Sequence, residues 1–167
     1  MKPNLLTATA DAVRAALDYN PATGAFIRKA SRSSSWIGSA AGFVHRTGYL
    51  VIKIGNRPYM AQRLAWVHFY GQWPDDFFVD HVNRNKLDNR ICNLRLATNG
   101  QNVANSRTRA ISGRKGVYPA PRMPGKWQAQ INIAGKTTNI GIYDNVEDAA
   151  LAYGEAARSR YGEFAKY

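Results

Sequence analysis

Cysteine is nearly absent from this sequence, since Cys92 is the single one among 167 residues. One cysteine excludes a disulfide within the chain and is typical of a protein that works in a reducing compartment. Because the sequence has no Cys-x-x-Cys pair, a zinc site built on thiolates is not expected either. We expect Cys92 to be a small buried filler of the core.

Acidic residues are scarce, with 11 Asp and Glu against 23 Lys and Arg, and the formal net charge is +12. That imbalance predicts an anionic partner, either nucleic acid or an acidic membrane surface. Long apolar runs are missing too, because Asp11 and Arg14 interrupt the apolar stretch near the N-terminus. We therefore expect neither a signal peptide nor a membrane-spanning segment.

The positive charge is concentrated in the middle of the chain. Residues 80–115 carry eight Lys and Arg against two Asp and Glu, whereas residues 116–167 carry six against five. Residues 1–79 carry nine against four. The middle segment is therefore the electrostatic centre, where we expect contacts to an anionic partner.

Apolar periodicity and turn residues predict an α+β fold for the first two thirds of the chain. A helix is expected over residues 7–19 with Thr7 or Thr9 as its cap, followed by a strand at 26–28. A hairpin over residues 48–61 is expected to turn at Gly55-Asn56, and a helix over residues 61–71 to end at Gly71. A strand at 77–81, a loop at 83–93, a strand at 94–97 and a helix capped by Thr98 follow.

The last third predicts a three-stranded antiparallel sheet backed by one helix. Trp127, Ala129, Ile131 and Ile133 alternate with polar residues, so they are expected on the core face. In the next strand, Ile140 and Ile142 are expected to face the core as well. The helix is predicted over residues 144–162, with Asp144 as its N-cap and Glu147 completing a capping box.

The stretch "VDHVNRNKLDNRICNLRLATNGQN" at residues 79–102 holds six asparagines, which are poor formers of helix interiors and strands. Its "DH" (80–81), "DNRICNLR" (88–95) and "TNGQN" (98–102) resemble the motif of HNH endonucleases, in the form common in phage and intron-encoded homing nucleases. The resemblance implies a ββα-metal unit over residues 77–106, in which two strands flank a long loop and a helix packs against them.

The resemblance also implies a role for each residue of the motif. His81 would be the general base, because imidazole titrates near neutral pH. Asp80 and Asn102 would be metal ligands, and Asn93 would orient the backbone around His81. An oxygen-only ligand set suits Mg²⁺ or Mn²⁺ and argues against zinc.

A purely structural role is the alternative for these residues, since an Asp-His pair is often structural and asparagines often form turns. We read Asn83, Asn85 and Asn89 in that way. The spacing favours the motif, because Asn93 follows His81 by twelve positions and Asn102 follows Asn93 by nine.

The final third resembles the APETALA/ethylene-response-factor DNA-binding domain of plants, through "GVY" (116–118), "GKWQAQI" (125–131), "IGIYDNVEDAALAYGEAA" (140–157) and "YGEFA" (161–165). In that family the sheet enters the major groove and the helix backs it. The plant domain has several arginines on this face, where the present sequence has mostly Gln, Asn and Thr. Its sequence preference is therefore not carried over, and a merely solvated sheet face remains the alternative.

Three groups of residues are candidates for contacts to DNA. The first lies within the motif and comprises Arg84, Lys86, Arg90 and Arg95. The second is a basic linker, whose cations suit the phosphate backbone or the minor groove: Arg107, Arg109, Arg114 and Lys115. The third is the outward sheet face, whose amides can read adenine edges: Tyr118, Arg122, Lys126, Gln128, Gln130, Asn132 and Asn139.

Together these observations predict a Mg²⁺- or Mn²⁺-dependent endonuclease of double-stranded DNA, with no membrane partner, acting as a monomer or homodimer. The expected organisation is a nuclease domain (1–106), a basic linker (107–115) and a DNA-binding domain (116–167). The expected location is the cytoplasm, that of a host bacterium if a phage encodes the chain. One alternative is a non-cleaving DNA-binding or regulatory protein of the same lineage. A basic RNA-binding protein would explain the charge but not the spacing of the motif.

Overall fold

The computed structural model describes residues 8–30, 33–106, 108, 110–133 and 135–166. The chain forms two compact units, one ending at Leu96 and the other beginning at Ala97. Both units combine helices with small sheets, so the predicted α+β class is confirmed.

The first unit begins with a short helix and a hairpin. Helix α1 (Ala10–Ala16) is capped by Thr9, whose hydroxyl accepts a hydrogen bond from the Ala12 amide at 3.2 Å. Strand β1 (Leu17–Tyr19) pairs antiparallel with β2 (Phe26–Arg28). The predicted continuation of α1 to Tyr19 is wrong, because pairing with β2 lets alternate residues of β1 enter the core. Thr7, the other candidate cap, lies outside the described residues.

A three-stranded antiparallel sheet follows, in the order β3 (Phe43–Val44), β4 (Leu50–Ile54) and β5 (Arg57–Met60). Ile54 pairs with Arg57, so Gly55 and Asn56 form a two-residue turn, with Gly55 at φ 59°. The predicted hairpin is therefore confirmed, and glycine is required where the turn takes a positive φ.

Helix α2 (Ala61–Tyr70) ends at Gly71, which adopts the left-handed conformation at φ 81°, as predicted. Its buried face packs with residues of α1, of β4 and of the β1–β2 hairpin in one apolar core. This core contains Val13, Leu17, Phe26, Ile52, Leu64, Ala65 and Val67. Strands β6 (Phe78–His81) and β7 (Leu94–Ala97) form a two-stranded sheet. The predicted strands at 77–81 and 94–97 are both confirmed, the first one residue shorter.

The second unit opens with helix α3 (Asn99–Asn105). Thr98 caps it through a complete capping box, in which the Gln101 side chain accepts from the Thr98 amide. Ala104 of this helix is buried with Ala97 and Phe164, and Tyr161 packs against them. The helix that the sequence assigns to a nuclease domain ending at residue 106 is therefore packed within the second unit.

A three-stranded antiparallel sheet forms the rest of this unit, as predicted, in the order β10 (Lys136–Tyr143), β9 (Trp127–Ile133), β8 (Val117–Pro119). Helix α4 (Val146–Tyr161) covers one face of it. The core between them contains Val117, Ala129, Ile131, Ala149, Tyr153 and Ala157. Trp127 packs against this core, as its position in the alternating pattern predicts.

Two expectations for β10 and α4 are wrong. A β-bulge interrupts the pairing between Asn139 and Gly141, so alternation shifts by one residue and Ile142 is 43% exposed instead of facing the core. The N-cap of α4 is Asn145, whose side-chain oxygen accepts from the Asp148 amide at 2.8 Å. Asp144, the expected cap, pairs instead with Lys126.

None of the helices in the described part of the chain has the length and hydropathy that a membrane crossing requires.

Candidate active site

The candidate site lies at the end of β6, where two consecutive ionisable residues are both buried. Asp80 is 6% exposed and His81 is 4% exposed. The amide of the next residue, Val82, donates a 2.9 Å hydrogen bond to the carbonyl of Asn93, which immediately precedes β7. The pair is therefore held where the chain leaves the sheet and enters the motif loop, residues 82–93.

The imidazole of His81 contacts the side chain of Asn89, with 3.3 Å between Nε2 and Oδ1. The ring of Tyr49 lies 6.0 Å from the imidazole, measured between ring centroids. Burial lowers the pKa of His81 below its ordinary value, although the hydrogen bond to Asn89 and the charge of Asp80 act in the opposite direction. A lowered pKa keeps the imidazole neutral at physiological pH, which a general base requires.

Asn93 connects the two ends of the motif loop. Its side-chain oxygen accepts from the Asn83 amide at 3.0 Å, and its nitrogen donates to the Asn83 side chain and to the carbonyl of Asp88. Asn93 is 6% exposed, so these bonds also satisfy an amide that would be costly to bury unpaired. The bonds cross the loop, while the orienting role of Asn93 toward His81 stays a prediction.

A bidentate ion pair fixes the far side of the loop. Arg90 contacts Asp88 with Nε–Oδ1 at 2.7 Å and Nη2–Oδ2 at 2.6 Å. These hydrogen bonds from Arg90 are the main cause that lowers the pKa of Asp88 to about 2. Arg90, a candidate for DNA contact, therefore already shares its charge with a carboxylate of its own loop.

Asp80, the predicted metal ligand, forms an ion pair with Arg95 of β7, with Nε–Oδ2 at 3.1 Å. The two side chains are 7% and 13% exposed, so this pair is largely shielded from water. Asn102, the second predicted ligand, is partly buried on α3 in the other unit. Carboxylate and amide oxygens fit a hard divalent cation by their chemistry. Among the described residues, no group of three or more His, Cys, Asp and Glu side chains is arranged to hold a metal.

Two of the predicted DNA-contacting lysines make internal contacts. Lys86 donates to the Thr47 carbonyl at 2.8 Å and lies 4.5 Å from the ring centroid of Tyr49. Lys115 donates to the carbonyls of Val103, Ala104 and Ser106, at 2.6, 2.5 and 2.7 Å, and so caps the end of α3. Both ammonium groups therefore serve local structure in the protein as it stands.

Two other basic candidates in these regions are exposed. Arg84 is exposed and adopts a φ of 61°, and Arg114 is exposed in a turn before β8. Arg107 and Arg109 lie outside the described residues. Cys92 is exposed as well, so the expectation that it fills the core is wrong. Its neighbours Ile91 and Asn93 turn inward within the same 3₁₀ turn.

The pairing of strands in the second unit brings the predicted sheet-face residues together. Tyr118 pairs with Gln128, Gln128 pairs with Ile142, and Gln130 pairs with Asn139. Paired residues share a face, so these side chains form one surface, with Asn132 in the next row. Lys126 is exposed beside Asp144 at 2.8 Å, and Arg122 is exposed in the turn between β8 and β9.

Asn89 is the site residue that sequence reasoning misses. Its position in "LDNR" reads as a turn former, yet it is 1% exposed and contacts His81. The match of Asn89 to the HNH motif was the available signal. What the sequence does not reveal is how the loop folds back so that residue 89 returns to the end of β6.

Comparison with known proteins agrees with the motif. A family model described as HNH endonuclease matches residues 59–104. The chain is 39% identical over 95 residues to a mimivirus protein named "Uncharacterized HNH endonuclease L560", covering 57% of this chain and 49% of that protein. It is 30% identical over 105 residues to Protein 3.8 of Escherichia phage T7, covering 62% of this chain and 85% of the phage protein.

One solved structure, titled "DNA binding and cleavage by the HNH homing endonuclease I-HmuI", is also similar. It is 26% identical, with a TM-score of 0.42, and the match covers 53% of this chain and 50% of that one. The chain thus spans about half the length of the mimivirus protein and of this solved structure.

Proposed function

Because the chain belongs to the HNH endonuclease family, we propose that it cleaves double-stranded DNA in a metal-dependent reaction with His81 as the general base. The observation that carries this proposal is the buried Asp80-His81 pair at the end of β6. Its imidazole is kept neutral by a lowered pKa and is held by a hydrogen bond to Asn89. A neutral, fixed imidazole is suited to taking a proton from the attacking water.

The remaining motif residues have supporting roles in this proposal. Asp80 and Asn102 would hold a divalent cation, for which we propose Mg²⁺ or Mn²⁺. Such a cation compensates the charge that develops at the phosphate and at the leaving oxygen. Asn93 keeps the two ends of the motif loop together, which maintains the position of His81. Arg95, beside Asp80, and the exposed Arg84 are proposed to contact phosphates.

We propose that the sheet of the second unit binds DNA, as in the APETALA-type domain that its sequence resembles. The order β10-β9-β8 with α4 on one face supports this reading. So does the row of amides on the other face, formed by Gln128, Gln130 and Asn139. Arg114, together with Arg107 and Arg109, would contact the phosphate backbone. Because relatives occur in a phage and a virus, we further propose that the enzyme acts inside an infected host cell.

The test is a cleavage assay on supercoiled plasmid with Mg²⁺, Mn²⁺ or EDTA. The parent protein should cut with either cation and not in EDTA, and His81→Ala should bind DNA but leave it uncut. His45→Ala is the matched control, because His45 lies outside the motif and should be dispensable.

Three outcomes would count against parts of the proposal. Normal cutting by His81→Ala would contradict the assignment of His81 as the base. Equal cutting with and without EDTA would contradict the proposed metal dependence. DNA binding by the parent without cutting under any condition would favour the non-cleaving DNA-binding protein of the same lineage.

A further inference from the structure

We propose that Asn89 positions the base His81, and that the N-terminal hairpin β1–β2 holds Asn89 in place through Tyr19. This inference rests on the proposed role of His81 as the base. It concerns residues on both sides of the motif, since Tyr19 lies 70 positions before Asn89.

The hydrogen bonds of Asn89 determine which nitrogen of His81 carries the hydrogen. The side-chain nitrogen of Asn89 donates to the Leu87 carbonyl at 3.2 Å, so its oxygen is the atom that faces His81 Nε2. An amide oxygen only accepts hydrogen bonds, and Nε2 must therefore be the protonated nitrogen. The lone pair of the neutral ring then lies on Nδ1, which is the atom able to take a proton from water.

Burial distinguishes Asn89 from the turn-forming asparagines of the same loop. Asn83 and Asn85 are exposed, and each accepts a hydrogen bond from an amide two residues ahead, as in an Asx turn. Asn89 is 1% exposed and directs its oxygen at the imidazole. A buried side-chain amide destabilises the fold unless it is hydrogen-bonded. We therefore infer that the contact of Asn89 with His81 stabilises the folded site.

The hairpin contacts the backbone around Asn89 at three points. The Tyr19 hydroxyl donates to the Asn89 carbonyl at 2.7 Å, and the Ile91 amide donates to the Pro21 carbonyl at 3.0 Å. The third is a close approach at Gly24, which has φ 75°. A Cβ there would lie 2.6 Å from the Arg90 nitrogen and 2.7 Å from the Asn89 carbonyl carbon. The turn of the hairpin therefore lies directly against the chain that carries Asn89.

Tyr19 is itself fixed by the core. Its ring stacks on Phe26 at 4.6 Å between centroids and meets the edge of His68 at 5.6 Å. The residue is 8% exposed, so the hydroxyl has little freedom to leave the Asn89 carbonyl. The core thus fixes Tyr19, Tyr19 fixes the backbone of Asn89, and the side chain of Asn89 fixes the imidazole of His81.

The first experiment measures the tautomer of His81 directly, by ¹⁵N chemical shifts of labelled histidine at pH 7.5. The chain has three histidines, and the signals lost in His81→Ala identify the residue. The parent should show a protonated Nε2 and an unprotonated Nδ1. Asn89→Leu, which has no acceptor, should give a mixture of tautomers. Asn89→Asp, which keeps an acceptor oxygen, should retain the parent's tautomer.

The second experiment measures cleavage with the same proteins. Asn89→Leu should lower kcat by about 10- to 100-fold with KM for DNA nearly unchanged, because the base is misplaced while the DNA contacts remain. Asn89→Asp should be more active than Asn89→Leu. Tyr19→Phe, which keeps the ring and removes only the hydroxyl, should lower kcat several-fold. Tyr59→Phe is the control, since its hydroxyl bonds the Ala8 amide, away from the motif loop.

The results separate this inference from the proposed function. A parent that shows the Nε2-protonated tautomer but cuts no DNA would contradict the function and support the positioning. If Asn89→Leu folds and keeps the parent's tautomer, Asn89 does not position His81. If Asn89→Leu fails to fold, Tyr19→Phe decides: a tautomer and kcat equal to those of the parent would overturn the inference.

Discussion

At the scale of single residues, the asparagines of the motif differ in their surroundings more than in their chemistry. Asn83 and Asn85 are exposed and form turns, whereas the side chains of Asn89 and Asn93 are buried and hydrogen-bonded within the protein. Asp80 and Arg95 are opposite charges placed together where water is scarce. Removing two charges from water costs desolvation energy, and the attraction between them offsets this cost only when the contact is well formed. Removing one member of the pair therefore has predictable consequences.

Arg95→Met should destabilise the protein by about 3 kcal/mol, because it leaves the Asp80 carboxylate without the cation beside it. If a divalent cation binds at Asp80, Mn²⁺ should stabilise this variant more than the parent, since the metal replaces the missing charge. Urea unfolding with and without Mn²⁺ measures both effects. Equal stabilisation of the two proteins by Mn²⁺ would argue against Asp80 as a ligand.

The partly buried His68 predicts loss of stability on mild acidification. Burial lowers its pKa, although its hydrogen bond to the Leu17 carbonyl opposes the shift. The unfolded chain takes up a proton near pH 6.5 while the folded chain resists it. The free energy of unfolding should therefore fall as the pH drops from about 7 through 6.5 towards the lowered pKa. His81 acts in the same direction.

Urea unfolding of the parent and of His68→Gln at pH 7.5 and 5.5 measures this effect. The variant should lose less stability than the parent between the two pH values. The ion-paired Asp88, with its pKa held to about 2, contributes stability that is lost only in more acidic solution. An equal loss in both proteins would rule out His68 as a cause.

At the scale of elements, turn chemistry predicted much of the fold. The hairpin at Gly55-Asn56, the end of α2 at Gly71 and the cap of α3 at Thr98 follow from residues that act within their own turn. The failures depend on partners distant in sequence. Strand β1 exists because β2 pairs with it, and the bulge in β10 arises in its pairing with β9. The contact of Asn89 with His81 escapes sequence reasoning for the same reason.

The bulge places an apolar side chain on the proposed DNA-binding face, since Ile142 pairs with Gln128. Ile142→Asp should weaken DNA binding at least tenfold, because it adds negative charge and removes an apolar contact where a thymine methyl could lie. Leu151→Asp is the control, as Leu151 is also exposed, at 67%, but lies on α4. Gel-shift titrations compare the two. Equal weakening would mean that charge alone matters and that this face is not the interface.

At the scale of the whole molecule, the nuclease motif is distributed over both compact units. Asp80, His81 and Asn93 belong to the first, whereas Asn102 lies on α3 in the second. The family match at residues 59–104 also extends past the division at Leu96. The excess of positive charge in residues 80–115 likewise falls on both sides of this division. The residues that the motif assigns to cleavage therefore do not all belong to one compact unit.

A chain truncated after Ser106 should lose helix α3. The helix has seven residues, and in the full chain it is packed by Phe164 and Tyr161 and capped by Lys115. Helices this short are unstable in water without such contacts. Hydrogen exchange read by mass spectrometry should show the amides of residues 102–105 protected in the full chain and exchanging rapidly after truncation. Equal protection would show that α3 folds without the C-terminal residues.

The contact of Lys115 with the Ser106 carbonyl also has a consequence for protein engineering. It brings together the two ends of the segment that the sequence presents as a tether. Extra residues inserted between these two positions would enlarge a closed loop, and a loop of twice the length costs only about 0.6 kcal/mol more to close. A tag or reporter domain placed there should therefore be tolerated, without altering the spacing of the elements on either side.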